Sequence, residues 1–422
     1  MRVCLFEDRS VLSLEPLTLT RPAYELWCGL STFADKQFRH FGAGDRGSLV
    51  RPYLAEVCRQ NDPHVCVNDL AWLRAGLTVL VNARWLPPVG RAVDLTSPCV
   101  ALVDDEVAYA VLGPEHLNYC APNTVDDCLA TWQTCLPHRA AGGMLIRHLW
   151  EAVNHGAAAA EADWRQAAVE YPPSSVPVAL HGPGDRLAVN PTARIEPFVF
   201  ADTTAGPVVI GDGAVITSFT RLEGPCFIGA GTHLQGARVR GSTIGPHCRI
   251  GGEVECAVIQ GFTNKAHDGF LGHAYVGEWV NLGAGTQCSD LRNDYGEVRV
   301  MVDGGLVRTG HTKVGCFLGD HTKTAIGTLL NTGASVGMFC QLLPGGLSPR
   351  WLPSFGSWCN GAFAERSDVA GLLSSAATVM RRRNKDLSEA RAALYRHLFD
   401  QTAKLRRRTL PEADARPLRR SA

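Results

Sequence analysis

The sequence predicts an α/β domain followed by a parallel β-helix of hexapeptide repeats and a C-terminal α-helix. Three observations carry this: aliphatic residues spaced by six in the second half, glycines crowded after about position 205, and mixed strand and helix patterning before it. At 422 residues the chain suits two or three domains rather than one core. With 45% hydrophobic and 19% charged residues it can bury real cores and is not disordered along its length.

In chain order, residues 2–6, 77–82 and 99–112 read as short β segments, and Ala23 to Phe41 and Val125 to Thr134 carry helical patterning. Leu145 to Ala168 reads as a longer, alanine-rich helix. Prolines at 172, 173, 177 and 183 then mark a linker. The expected division is an α/β unit over 1–170, a linker over 171–190, the β-helix over 191–363 and a basic helical tail over 364–422.

The repeat begins with Ile210, Ile216, Leu222, Ile228 and Leu234, with Gly211 and Gly229 directly after an aliphatic residue. It continues through Ile244, Ile250, Val276 and Leu282 and returns as Leu318, Thr324, Leu330, Val336 and Leu342. No helix has period six. One inward aliphatic and a tight corner per six residues describe one side of a three-sided coil of about 18 residues. The bland alternative is a glycine-rich β-sandwich with accidental spacing. The repeat breaks between Gln287 and Val314, where a long polar loop must leave the prism, and such loops on a rigid solenoid tend to be functional.

In the tail, Leu387, Leu394, Leu398 and Leu405 mark one helix face. From Arg381 to Ala422 there are thirteen Lys or Arg against five Asp or Glu, yet the whole chain balances 41 against 41. No stacking aromatics interleave with the arginine-rich face opposite these leucines, so a solvated face is expected, with no nucleic-acid or membrane partner. The fifteen cysteines are scattered with no C-x-x-C pair, which fits reduced thiols. The first apolar run is too short for a signal peptide and none approaches the roughly 18 residues of a membrane span. A cytoplasmic protein is expected.

Long stretches of the second half resemble a known family. Asn264-Lys-Ala-His-Asp-Gly-Phe-Leu-Gly-His273, Gly277-Glu-Trp-Val-Asn-Leu-Gly-Ala-Gly-Thr286, Ser289-Asp-Leu-Arg-Asn-Asp-Tyr-Gly296 and Gly319-Asp-His-Thr-Lys-Thr-Ala-Ile-Gly327 are similar to the signature of the GlmU-like sugar nucleotidyltransferase family. Leu17-Thr-Leu-Thr-Arg-Pro22, Glu25-Leu-Trp-Cys-Gly29 and Asn82-Ala-Arg-Trp-Leu-Pro87 resemble its first domain. The better-known relative acetylates glucosamine 1-phosphate with acetyl-CoA and then uridylylates the product. The resemblance implies a left-handed β-helix, a homotrimer, acetyl-CoA or another acyl-CoA as co-substrate, and a sugar phosphate or nucleotide sugar as ligand.

It further implies His267 as general base and Asn281 as an acceptor contact; Phe270 replaces a tyrosine, and Asp320 stands where the relative has a serine beside the coenzyme. Acyl transfer to an amine needs a base neutral at working pH, which suits histidine. A histidine in a glycine-rich turn also fits a backbone-bonded structural role, and Asn281 an inward residue closing a coil. Lys265, Arg292 and Tyr295 are further acceptor candidates, the last two reaching from the long loop to a neighbouring subunit. Ala284, Asp320 and Lys323 are coenzyme candidates, Lys323 as a phosphate partner or one half of a corner salt bridge.

In the first domain, Phe6-Glu-Asp8 runs into Arg9 with none of the glycines that cradle a triphosphate. Asp8, Thr18, Thr20, Arg21 and Asn82 are the replacements, Arg21 as the phosphate-facing cation, with Mg2+ as the metal such a domain would use. Two other readings stay open: active sugar-1-phosphate nucleotidyl transfer on a trimeric β-helix scaffold, and a zinc site of the γ-carbonic-anhydrase kind among His247, His267, His273, His311 and His321. No metal site of the prism is expected, because His267 and His273 fall on different sides.

Overall fold

The computed structural model describes residues 2–42, 44–90, 95–166 and 178–409. Arg2–Phe6 is apolar at consecutive positions, the pattern of a strand covered on both sides, and it lies inside a seven-stranded sheet. Across that sheet run His138–Ala140, Cys99–Val103, Glu106–Leu112, Thr78–Asn82, Arg2–Phe6, Asp45–Leu49 and Cys66–Val67. Arg2–Phe6 is parallel to both neighbours, so three C-terminal strand ends meet on one side, where open α/β sheets bind ligands.

The β segments expected at 2–6, 77–82 and 99–112 are all present, the last as the pair Cys99–Val103 and Glu106–Leu112. The helix of 125–134 is Val125–Cys135. The one expected from 145 starts at Leu149 instead, because Met144–Leu145 pairs with Trp85–Leu86 as a strand. Over 23–41 the helical expectation holds only for Phe33–Phe41, which Thr32 and Asp35 open with a reciprocal capping box. Ahead of it the chain makes the hairpin Trp27–Cys28 and Ser31–Thr32 around Gly29, whose φ is +77°. A Cβ there would lie 2.5 Å from the Ala160 backbone nitrogen, so this turn requires glycine.

From Val178 onward the chain winds a left-handed parallel β-helix. Its first strand, Val178–His181, pairs in parallel with Val199–Asp202, so residues 178–190 belong to the opening coil and not to a linker; residues 167–177 lie outside the described chain. We call the sheet begun by Leu187–Val189 the first face, that begun by Arg194–Ile195 the second and that begun by Val178–His181 the third. The first face stacks nine strands, and Ile210, Ile228, Ile244, Ile259, Val276, Leu318, Val336 and Leu352 form its inward column. On the other two faces Ile216, Leu234 and Ile250, and Leu222, Val239 and Leu271, do the same, all but closed to solvent. The aliphatic positions expected from the period of six are therefore the interior of the prism. Where the repeat breaks, the loop carries an antiparallel hairpin, Arg299–Val302 with Gly305–Arg308.

Besides the prism interior and a cluster on one side of the seven-stranded sheet, the two halves share a third core. The outer side of the first face contributes Val258, Tyr275 and Phe317 to the same apolar cluster as Val3, Leu5, Leu17 and Trp150 of the α/β unit. Polar contacts reinforce the seam: Tyr275 Oη donates to Trp27 O (3.0 Å), Thr243 Oγ1 to Gly29 O (2.6 Å) and Gln260 Nε2 to Glu25 O (2.7 Å). The tail forms helices Val369–Arg381, Glu389–Gln401 and Ala403–Thr409, and Leu394, Tyr395 and Leu398 bury in the same cluster. Its apolar face thus packs on its own chain.

Candidate functional site

At the corner between the second and third faces, each coil turns within three residues of its inward side chain. His267 sits on that corner, exposed, with exposed Asp268 beside it. The coils on either side carry Gly251–Gly252 and Ala284–Gly285 at the same step, and Gly285 N donates to Asp268 O (3.0 Å). A Cβ on Gly251 would stand 2.2 Å from Ala266 O, so the backbones are in contact and no neighbouring side chain shields the imidazole. Ile326, one coil beyond Ala284, is 76% exposed on this same corner.

Beside it runs the outward column of the second face. Asn264, Asn281 and Lys323 follow one another through parallel bridges, and Asn264 Nδ2 donates to Asn281 Oδ1 (2.8 Å). Asn281 is exposed, not an inward residue closing a coil, and Lys323 is half-buried. The structure therefore brings His267, Ala284, Asn281 and Lys323 to adjoining surfaces. It does not bring Lys265 there. Lys265 occupies the inward column between Ile250 and Leu282, where its Nζ donates to Gly251 O (2.7 Å) and Gly269 O (2.6 Å). Burial pushes this ammonium down to about 8. A side chain inside the prism cannot reach an acceptor.

Arg292 and Tyr295 lie on the long loop past the far end of the third face, not beside His267 within one chain. The Arg292 Nε donates to Asp294 Oδ1 (2.7 Å), and Tyr295 is 72% exposed. Where the loop leaves, His273 Nδ1 and Asp290 Oδ2 are 2.7 Å apart. Burial works against the imidazolium, but Asp290 and Cys256 more than reverse it, raising the His273 pKa to about 9.

Asp320 is not a coenzyme contact. Its carboxylate is buried against the α/β unit, accepting from Arg21 Nη1 (3.1 Å) and Nη2 (2.7 Å), Thr20 Oγ1 (2.6 Å) and the Glu278 backbone N (2.8 Å). Burial raises its pKa, and the Arg21 guanidinium outweighs that and holds it below the usual carboxylate range. Arg21 is correspondingly removed from any phosphate: it is 4% exposed, with Glu278 as a second carboxylate partner at 3.3 Å. Thr18 is buried as well and donates to Val11 O (3.1 Å). Arg21, Thr20 and Asp320 thus hold the halves together, whereas Thr18 bonds within the α/β unit.

At the C-terminal strand ends of the seven-stranded sheet, the carboxylates are paired internally. Asp8 caps the 3-10 turn Arg9–Leu14 and accepts from Arg84 Nε (3.1 Å) and Nη2 (2.7 Å) and from Asn82 Nδ2 (2.8 Å). Glu7 accepts from Arg51 Nε (3.1 Å) and Nη2 (3.1 Å). Both oxygens of Asp8 are thus taken by a guanidinium and an amide, a donor set that does not fit Mg2+. Among the described residues no three His, Cys, Asp or Glu side chains converge as a metal site.

A family model described as sugar nucleotidyl transferase matches residues 3–168. The bifunctional sugar-1-phosphate nucleotidylyltransferase/acetyltransferase of Sulfurisphaera tokodaii is 35% identical over 104 residues, 24% of this chain and 26% of that protein. The match thus spans about a quarter of that relative's length. The uncharacterized acetyltransferase YaiX of Escherichia coli K12 is 30% identical over 160 residues, 37% of this chain and 70% of that protein. Among solved structures, the UDP-N-acetylglucosamine acyltransferase of Francisella novicida aligns at 14% identity over 54% of this chain and 88% of that chain, with a TM-score of 0.24. On these matches the chain belongs to the GlmU-like family of sugar nucleotidyltransferases and acetyltransferases.

Proposed function

We propose that the β-helix is the active half: an acyltransferase moving the acyl group of acetyl-CoA or another acyl-CoA to the amine of an amino sugar or its phosphate. The observation that carries this reading is the unshielded His267, flanked on its corner by small residues and adjoined by the Asn281 and Lys323 column. His267 takes the proton of the attacking amine, Asn281 holds the acceptor, and the thioester arm passes Ala284, where no side chain larger than a methyl group obstructs it. The chain works as a homotrimer in this proposal. The first face is covered by the α/β unit, whereas Phe198, Phe219, Ile326 and Leu347, between 64% and 76% exposed, remain for neighbouring subunits. Replacing His267 by alanine lowers coenzyme A release in the presence of amino-sugar phosphates by about 100-fold or more, with the urea midpoint unchanged. Unaltered turnover would remove His267 from the mechanism.

The family match over residues 3–168 favours a second reading, sugar-1-phosphate nucleotidyl transfer. The Asp8–Arg84 and Glu7–Arg51 pairs weigh against it, so in this proposal the first domain is a scaffold that covers the prism. Pyrophosphate release from a nucleoside triphosphate and a sugar 1-phosphate at about 1 per second or faster would reverse the ranking.

A further inference from the structure

The turn that ends helix Val369–Arg381 folds over the second face and closes a cleft of about 290 Å³. Phe262, Asn264, Asn281, Lys323, Arg382 and Arg383 line it, with no carboxylate among its lining residues. Arg249 adjoins it, one strand before Asn264 in the same outward column, and His233 precedes Arg249. Strands stacked about 4.8 Å apart make this a ladder of His, Arg, Asn, Asn and Lys some 19 Å long.

Cations gathered in this way without a carboxylate repel one another. Burial and then Arg383 depress the Arg249 guanidinium, burial and then Arg366 depress Lys323, and burial, Lys385, Arg249 and Arg383 depress His247. The Arg249 Nη1 donates to the Gly231 O (3.1 Å) and Cys248 O (2.9 Å), and among the described residues no carboxylate forms an ion pair with it. The Arg383 Nε is shielded from solvent and bonds no protein acceptor. Unpaired cations, two amides with a free edge and a half-exposed aromatic ring are complementary to a phosphoryl group and the polar or planar body it is attached to.

We propose that this cleft binds the phosphate or diphosphate of a small phosphorylated ligand, gripped by Arg249, Lys323 and Arg383 and ordered along Asn264 and Asn281. It rests on the reading of the β-helix as the active half, where such a group could belong to the acceptor sugar phosphate or to the acyl-CoA. The test is calorimetry on the full chain with inorganic phosphate, glucose 1-phosphate, a nucleoside diphosphate sugar and acetyl-CoA, comparing wild type with Arg383→Ala, Arg383→Lys and Lys323→Met. At least one probe should bind, with affinity falling about tenfold or more in Arg383→Ala and Lys323→Met and only partly in Arg383→Lys. It should also weaken as salt is raised. His267→Ala is expected to bind unchanged, so a loss of turnover there without loss of binding separates the two proposals. The probe retained most tightly identifies the source of the phosphate. The proposal is overturned if no probe binds at millimolar concentration, or if binding is the same in an Arg383→Ala chain whose circular dichroism and urea midpoint match the wild type.

Discussion

Replacing Asp320 by alanine removes the one acceptor shared by four donors from both halves of the chain. Arg21 Nη1 and Nη2, Thr20 Oγ1 and the Glu278 amide lie 2.6 to 3.1 Å from its oxygens. With Asp320 gone, the guanidinium keeps Leu17 O at 3.1 Å and the Glu278 carboxylate at 3.3 Å, which is 20% exposed. Stranding one member of a buried ion pair costs about 3–5 kcal/mol, a large part of the roughly 5–15 kcal/mol that stabilises a folded chain. Urea unfolding followed by tryptophan fluorescence should show that loss as a lower midpoint. The double variant Arg21→Met with Asp320→Leu removes the stranded charge and should recover at least about 2 kcal/mol relative to the sum of the single changes. Because the folded-state pKa of Asp320 is depressed, its contribution is complete above the ordinary carboxyl value. It is lost as pH falls through the folded value, so the gap between wild type and Asp320→Ala narrows only below about pH 4. A cost under about 1 kcal/mol, or simple additivity in the double variant, would refute the claim that this pair joins the halves.

Two further outcomes follow from the same seam. His321 stacks between Trp279 and Phe339, its Nε2 is 3.1 Å from Tyr395 Oη, and burial pushes its pKa down to about 3. The unfolded chain protonates this residue near 6.5 and the folded chain does not, so stability falls by up to about 1.4 kcal/mol per unit as pH drops from 6.5 toward 3. In His321→Phe that part of the slope should vanish; an identical pH profile would exclude it. Deleting everything after Ser374 removes Met380, Leu394, Tyr395 and Leu398, each no more than 4% exposed. At about 1.5–3 kcal/mol per buried side chain the loss is comparable to the whole stability. The shortened chain should be insoluble or unfolded by circular dichroism, and a soluble, equally stable product would show that the helices do not cover this core.

The period of six by itself determined the prism, because an aliphatic side chain pointing inward once per side needs no information from elsewhere in the chain. The glycines that mark its corners were likewise legible, as were the β segments expected at 2–6, 77–82 and 99–112, the last of which is a pair of strands. Lys265 was misread because the coils shorten: from Ile250 the inward residues are Val254, Ile259 and Lys265, so the count of six slips just where the motif becomes polar. A signal for the covered first face was present but unused. Val258–Ile259, Tyr275–Val276 and Phe317–Leu318 are apolar at both parities of the strand, the pattern of a sheet buried on two sides. The tertiary structure alone decided the rest. Arg21 and Asp320 are 299 positions apart, and each on its own reads as a charge awaiting a ligand. Only folding the α/β unit onto the first face makes them neutralise each other, and only the return of the C-terminal helix places Arg383 over Asn281 and Lys323, because neither contact follows from any local period of the chain.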